Sequence, residues 1–194
     1  MDNGLTNREA SVKRILIKAI VDQLIEDYGQ VTFRKIIGVI GPEYGTMIEP
    51  GRINEPEYPA GLLKALAAAI TDIIPPAGPE PSITELVRKV SHRHLSMAMT
   101  IVLKVGTPSF IVRHFPGIWN MFFNRGMMLV KSLAGNTADI ELIDNQDYDQ
   151  GICAGTIGWL RGAVEKSGGK NVAVSHTMCR FRGEQTCLFK LRWD

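Results

Sequence analysis

Residues 150–187 read QGICAGTIGWLRGAVEKSGGKNVAVSHTMCRFRGEQTC, a stretch in which cysteines and glycines recur at wide offsets. It holds all three cysteines of the chain: Cys153, Cys179 and Cys187. Residues 150–167 have the pattern of a helix, yet Gly158 and Gly162 each destabilise it by about 1 kcal/mol relative to alanine. Two glycines four residues apart therefore indicate a helix face that presses against another backbone or against a ligand.

Two predicted strand pairs flank this helix and define the fold class. Upstream, residues 127–133 and 138–144 read as strands around a Gly-Asn turn, which is typical of a β-hairpin. Downstream, residues 171–179 and 186–193 form a second predicted hairpin around Gly183. Helices precede the first hairpin and separate the two. The chain is therefore predicted to be an α+β protein, with helices packed on a four-stranded, mostly antiparallel sheet.

The N-terminal part is predicted to be helical. Hydrophobic periodicity predicts a first helix that ends at Gly29, a short helix over 32–40 and a third helix over 58–73. Residues 42–57 are rich in proline and glycine, so we expect an irregular connection there.

A proline-rich segment, residues 75–81, excludes a helix and is the best candidate for a boundary in the chain. We therefore expect an N-terminal helical extension, 1–80, followed by an α+β domain, 81–194. Within this domain, further helices are predicted over 82–105 and 108–115.

Charge and hydropathy exclude some classes of function. The chain has 194 residues, 22 basic and 20 acidic, and a net charge of +2, without the clustered basic stripe typical of nucleic-acid binding. Lysine and arginine interrupt its apolar runs well before the roughly 20 residues that a membrane span needs. No signal peptide is apparent, so we expect a cytoplasmic protein. An odd number of cysteines in that reducing compartment argues against a disulfide framework, and leaves buried thiols, metal ligands or redox chemistry.

The predicted second hairpin brings two cysteines together. Cys179 and Cys187 are equally distant from Gly183, so in a symmetric hairpin their Cβ atoms lie about 4.5–5.5 Å apart. Cys153 falls in the first turn of the preceding helix, where free backbone N–H groups favour a thiolate. Three converging sulfurs suit a thiophilic metal ion, which needs a fourth ligand to complete a tetrahedron. Three small buried hydrophobic side chains explain the same pattern.

Over about residues 85–194 the chain resembles the vinyl-4-reductase domain. That domain is found as the aromatic-effector sensor of bacterial transcription activators, and it is related to subunits of the vesicle-tethering transport-particle complex. The resemblance implies a homodimer formed through the long helices, with zinc bound by the three cysteines beside a pocket for a small apolar ligand. It rests on these residues at matching offsets: Cys153, Gly158, Trp159, Gly162, Gly169, Cys179, Gly183 and Cys187.

The fourth ligand of such a zinc site is not evident in the sequence. The sensor members of the family have a glutamate, at a position that an ungapped count places at Val130 here, while Glu141, Asp144 and Asp147 lie further along. His176 precedes the second cysteine by three residues. On a regular strand this odd offset points to the opposite face, so we expect His176 to face away from the sulfurs.

A dense set of aromatic and methionine side chains precedes the cysteine stretch, and such sets can line a cavity for a flat or oily ligand. The resemblance places this ligand between the helices and the sheet, in a pocket of roughly 300 Å³ or more with His114 or Arg113 at its mouth. A packed core or a dimer face explains the same composition. The residues expected to line the pocket are Phe110, Phe115, Trp119, Phe122, Met127 and Trp159.

We therefore expect a homodimeric sensory module, without catalysis of its own, that binds a small apolar, aromatic or tetrapyrrole-like molecule and acts through a partner protein. The resemblance leaves two alternatives open: an accessory to a tetrapyrrole-handling or reductase-type enzyme, and a non-catalytic assembly or tethering subunit. The sequence contains no glycine-rich phosphate loop, nucleophile elbow or HExxH motif.

Overall fold

The computed structural model describes residues 9–98 and 107–194, and residues 94–98 by their backbone alone. The elements follow in the order β1 (Ser11–Lys13), α1 (Arg14–Ile48), β2 (Glu57–Pro59), α2 (Ala60–Ile73), α3 (Ser82–Ala98), α4 (Pro108–Phe122), β3 (Met127–Ala134), β4 (Thr137–Ile143), α5 (Gln150–Lys166), β5 (Ala173–Met178) and β6 (Cys187–Arg192). A single 3₁₀ turn, Arg180–Arg182, lies between the last two strands.

The main sheet is antiparallel, with the strand order β3-β4-β6-β5. Both predicted hairpins are present, since β3 pairs with β4 and β5 pairs with β6. The pairing of β4 with β6 joins the two hairpins, from Thr137↔Arg192 to Leu142↔Cys187. Along β6, buried and exposed residues alternate, so one face of the sheet is turned towards the core. The predicted α+β fold with a four-stranded antiparallel sheet is confirmed.

The N-terminal region is more ordered than predicted. Gly29 and Gly41 interrupt α1 with φ angles of 76° and 83°, left-handed values that glycine adopts without strain. A helix resumes directly at Pro42, which is favourable because the first helical residue needs no backbone donor. Residues 42–48 are therefore helical, although we expected them to be irregular. The short strands β1 and β2, which were not predicted, pair as a separate two-stranded sheet.

Helix α4 continues past its predicted end at Phe115 to Phe122, with Pro116 inside it. Phe115, Trp119 and Phe122 recur at helical spacing and are all buried. Packing of this aromatic face offsets the backbone hydrogen bond that Pro116 cannot donate. The predicted continuation of α3 to residue 105 lies outside the described residues.

Helices α3 and α5 pack backbone to backbone. A Cβ atom at Gly158 would lie 2.0 Å from the carbonyl oxygen of Thr84, and one at Gly162 would lie 2.4 Å from that of Arg88. Thr84 in turn donates its hydroxyl to the carbonyl of Ala154 at 3.1 Å. These distances leave no room for a side chain at either glycine. The glycines predicted that this face of α5 presses against another backbone or a ligand. In the structure it presses against the backbone of α3.

Ion pairs border this contact between the two helices. The guanidinium of Arg88 contacts Glu85 at 2.8 Å and Glu165 at 2.7 Å, and that of Arg161 holds both carboxylate oxygens of Glu80 at 2.6 and 2.7 Å. The hydrogen bond from Arg88 lowers the pKa of Glu85 below its usual value. All these groups are partly exposed, so each pair stabilises the fold only modestly and mainly restrains how α3 and α5 are oriented.

The first two helices share the core of the rest of the chain. Helix α1 packs on α2 and α3, helix α2 also packs on α5, and their buried side chains belong to one continuous cluster with those beneath the sheet. The division at residue 80 into an extension and a domain stays a prediction. Across residues 9–98 and 107–194, no helix has both the length and the hydrophobicity to cross a membrane.

The contact between α3 and α5 predicts opposite effects for two glycines of the same helix. Gly158→Ala should lower the free energy of unfolding by about 1–3 kcal/mol or more, because the added methyl overlaps a backbone carbonyl. Gly155→Ala is the matched control: its Cβ would meet only Val87, at 3.7 Å, so it should raise stability by up to about 1 kcal/mol through helix propensity. Urea denaturation measures both values, and equal effects would contradict the packing.

Candidate functional site

Cys153, Cys179, Cys187 and His176 meet in one buried cluster. Their ligand atoms, three Sγ atoms and one imidazole nitrogen, all lie within 4.8 Å of one another. The Sγ atoms of Cys153 and Cys187 are 3.7 Å apart. All three cysteines are free thiols with at most 3% of their surface exposed. We refer to these four residues as the cysteine cluster.

Helix α5 and the second hairpin position the sulfurs. Asp149 caps the start of α5 by accepting a backbone hydrogen bond, so the helix begins one turn before Cys153. The register between β5 and β6 places Cys179 level with Cys187, next to the 3₁₀ turn. The three cysteines, which are far apart in the sequence, thus meet where the start of α5 contacts the end of the second hairpin.

A β-bulge brings His176 into the cluster. His176 pairs with Phe189, but the next pair is Met178 with Leu188, so that two residues on β5 stand against one on β6. The extra residue reverses the alternation of side chains, and Cys179 returns to the face of His176. The expectation that His176 faces away from the sulfurs is therefore wrong, because it assumed a regular strand.

The hydrogen bond between Cys153 and Cys187 shifts the pKa of both thiols. The hydrogen bond with Cys153 lowers the pKa of Cys187, and the hydrogen bond from Asn145 acts in the same direction against the opposing effect of burial. The hydrogen bond with Cys187, together with burial, raises the pKa of Cys153. The two pKa values move in opposite directions because the two sulfurs share one hydrogen bond.

Two polar atoms beside the sulfurs have no hydrogen-bond partner among the described residues: Nε2 of His176 and Oδ1 of Asn145. The imidazole ring is held in place by stacking on Phe189, with 4.4 Å between the ring centroids and 9° between the planes. Because buried polar groups are nearly always satisfied, an orphan imidazole nitrogen next to three sulfurs suggests a ligand in the cluster. Soft sulfur and imidazole donors in this number match tetrahedral coordination of a thiophilic metal ion.

The acidic residues considered as a fourth ligand do not join this cluster in the described structure. Glu141 lies on the other face of the sheet, where it pairs with Lys131 at 3.1 Å and accepts the hydroxyl of Thr186 at 3.1 Å. Asp144 and Asp147 are likewise absent from the group of converging ligand atoms.

A second candidate site is an apolar cavity of about 60 Å³ among the helices. It is much smaller than the 300 Å³ or more that we expected, because aromatic rings pack into its walls. Trp119 and Phe123 stack with 4.0 Å between their centroids, and Phe122 meets Trp159 edge to face at 6.3 Å. The lining consists of Leu16, Ile20, Leu63, Ala67, Ile83, Val87, Trp119, Phe122, Phe123, Met128, Gly151, Ile152, Gly155, Thr156 and Trp159.

The cavity does not lie between the helices and the sheet. Helices α1 to α5 all contribute to its wall, and Met128 on β3 is the one lining residue that comes from a described strand. The predicted N-terminal extension supplies four lining residues, none of which was predicted to line a pocket: Leu16, Ile20, Leu63 and Ala67.

The structure brings together half of the residues predicted to line a pocket. Trp119, Phe122 and Trp159 line the cavity. Phe115 is fully buried behind them, 5.1 Å from the ring of Trp159. The remaining two, Phe110 and Met127, are outside the lining, and Met127 is 47% exposed.

The two residues expected at a pocket mouth are both exposed on α4. His114 donates its Nδ1 hydrogen to the carbonyl of Phe110 at 2.8 Å, and its ring centroid lies 4.3 Å from that of the Phe110 ring, with the planes tilted by 35°. Neither His114 nor Arg113 is among the residues that line the cavity.

No protein-family model matches this chain, and neither does any curated protein. Solved structures match in fold. An H-NOX protein from S. oneidensis in the Fe(II)NO state has 13% sequence identity and a TM-score of 0.71, over 94% of this chain and 99% of that one. An unliganded Fe(II) H-NOX protein from K. algicida has 11% identity and a TM-score of 0.67, over 94% and 96%. A structure described as modulating heme redox potential through porphyrin distortion has 13% identity and a TM-score of 0.63, over 94% and 99%.

These comparisons correct the predicted cofactor. The similar structures are described by Fe(II), heme and porphyrin, and none of these descriptions mentions zinc. The prediction that zinc is the cofactor is therefore wrong. Membership of the vinyl-4-reductase family is not shown, and at 11–13% identity the likeness concerns the fold alone. The chain has the α+β fold of the H-NOX proteins, helices and sheet included.

Proposed function

We propose that this chain is a small-molecule-binding sensory module whose apolar cavity receives the ligand. The observation that carries the proposal is the position of the cavity: every helix of the described structure contributes to its wall. A molecule that binds there contacts the whole helical layer at once. Binding can therefore shift the relative positions of the helices, which is what a sensory module requires.

The chemistry of the wall restricts the ligand. Its two polar side chains already donate elsewhere, Thr156 to the carbonyl of Ile152 at 2.8 Å and Trp119 to that of Arg125 at 3.1 Å. The described residues that line the cavity include no charged side chain. We therefore propose a small, uncharged and apolar ligand. An engineered apolar cavity of about 150 Å³ holds benzene, so an aromatic ring needs a rotamer change in this wall, for which the flexible Met128 is suited.

Heme, which the similar structures name, does not fit the described residues. The cavity of about 60 Å³ is far smaller than a porphyrin. Among the described lining residues, Met128 is the one side chain of a type that ligates heme iron, and no lysine or arginine is present to meet the propionates. His114, the histidine of α4, points to the surface and is bonded to its own helix. We therefore assign no role to heme here.

We further propose that the module is a cytoplasmic homodimer that reports ligand occupancy to a partner protein. Free thiols at all three cysteines are compatible with a reducing compartment. Met121 and Met127 are 49% and 47% exposed, and each is adjacent in sequence to a residue of the cavity wall. A movement of that wall therefore reaches an apolar surface on which a partner or a second copy could dock.

Ligand binding can be tested by thermal shift with benzene and indole. At about 100 times Kd, a ligand that binds only the folded state adds about 2.7 kcal/mol, which corresponds to a rise in Tm of roughly 5–10 °C for a chain of this size. Gly155→Met should abolish the shift, because its side chain grows from α5 into the cavity. Gly155→Ala, which adds one methyl, should keep most of it.

Two outcomes would overturn this proposal. One is the absence of a shift with either compound in the wild type, and the other is an equal shift in the wild type and Gly155→Met. Titration with hemin is the third arm of the experiment. A sharp Soret band at one hemin per chain, lost in Gly155→Met, would show that the ligand of the cavity is heme and not a small apolar molecule.

We propose as a second role that the cysteine cluster holds a thiophilic transition-metal ion. The three sulfurs of Cys153, Cys179 and Cys187 supply the soft donors, and Nε2 of His176, which has no other partner in the described structure, completes the tetrahedron. The site is closed and buried, so a bound ion stabilises the fold by linking α5 to the second hairpin.

Co(II) is a suitable probe of this metal site because its visible spectrum reports tetrahedral geometry and its near-ultraviolet charge-transfer band reports bound thiolates. The wild-type chain should bind one Co(II) with both features. His176→Cys should strengthen the charge-transfer band by adding a thiolate. His176→Ala should weaken binding, and added imidazole should restore it. His114→Ala, at an exposed histidine outside the cluster, is the control and should match the wild type.

Failure of the metal site and failure of its fourth ligand give different results. A wild-type chain without a charge-transfer band would show that the cysteines are a buried apolar cluster. A normal wild-type band that is unchanged in both His176 variants would leave the three sulfurs in place and remove His176 from the site.

A further inference from the structure

Asn145 is a fully buried amide placed by a strained turn. It has 0% of its surface exposed, and the preceding residue, Asp144, has a φ of 52°, a left-handed value that is uncommon outside glycine. The carbonyl of Asn145 accepts the backbone hydrogen of Tyr148 at 3.2 Å, which closes the turn before α5. Both backbone strain and burial of an amide are unfavourable, so this arrangement needs a compensating interaction.

The amide hydrogen of Asn145 supplies that interaction at the cysteine cluster. Nδ2 lies 3.4 Å from Sγ of Cys187 and donates a hydrogen bond to it. The NH₂ end of the amide therefore faces the sulfur, and Oδ1 faces away from it. This orientation leaves Oδ1 without a partner in the described structure. The donation to sulfur is therefore favoured strongly enough to leave an acceptor unsatisfied.

We infer that Asn145 is a positioning residue for the metal site: it holds the Sγ atom of Cys187 in place and offsets its negative charge. This inference rests on the metal ion proposed for the cysteine cluster. Three thiolates give a divalent ion one negative charge in excess. A buried N–H···S bond reduces this excess without adding a full charge to the core.

The same bond tunes the electronic state of the metal site. Donation to a coordinated sulfur lowers the energy of its lone pairs, so a sulfur-to-metal charge-transfer band moves to shorter wavelength. Loss of the bond moves the band to longer wavelength and weakens binding, since residues that support metal ligands typically contribute about 10–100-fold in metal affinity. A residue that served only to fill space would change stability without moving the band.

The test compares Co(II) complexes of the full chain. To protect folding, each Asn145 variant is made in an Asp144→Gly background, which relieves the left-handed turn. Asp144→Gly alone is the matched control, and its charge-transfer band should coincide with that of the wild type. Asn145→Ala should shift the band to longer wavelength and raise the Kd for Co(II) about 10–100-fold. Asn145→Asp, which keeps the shape and replaces the donor with an acceptor, should weaken binding more than Asn145→Ala does.

The outcomes separate this inference from the metal proposal on which it rests. Absence of a charge-transfer band in the wild type would remove the metal site itself. A band in the wild type, with the same wavelength and the same Kd in the Asn145→Ala chain, would overturn the role of Asn145 and leave the site standing. A lower Tm in Asn145→Ala with an unchanged band would show that Asn145 only fills space.

Discussion

The close contact between α3 and α5 is the constraint on which the rest of the structure depends. Gly158 and Gly162 bring α5 so near to α3 that an added methyl group would overlap the carbonyl oxygens of Thr84 and Arg88. Such a contact fixes both the distance between the helices and their relative rotation, because there is no side chain to adjust. The remaining faces of α5 are therefore held in set directions, and both candidate sites use them.

One turn of α5 is shared by the two candidate sites. Ile152 lines the apolar cavity, and its neighbour Cys153 points to the sulfurs on the sheet. Gly155 and Thr156, one turn further on, again belong to the cavity. Adjacent residues of one rigid helix therefore face different candidate sites. The cysteine cluster thus anchors the same wall that a ligand in the cavity would push.

The chain shares the fold of the H-NOX structures, and the sizes of its own buried side chains determine what that fold encloses here. At 13% identity, the H-NOX protein from S. oneidensis keeps the same arrangement over nearly its whole length. Here the aromatic rings of Trp119, Phe122 and Trp159 pack into the space among the helices, and a cavity of about 60 Å³ remains. The pattern of buried positions specifies the layers of a fold, whereas the size of each buried side chain specifies what the layers enclose.

The sequence by itself determined the features that depend on local pattern. Alternating residues and a Gly-Asn turn predicted the hairpin of β3 and β4, and paired glycines predicted the pressed face of α5. Tertiary structure decided the rest. One extra residue in β5 turned His176 towards the sulfurs, and Leu16 and Leu63 reached the cavity from far along the chain. Periodicity reports which residues are buried within an element, but a bulge is set by pairing with another strand, and a cavity by how distant elements pack.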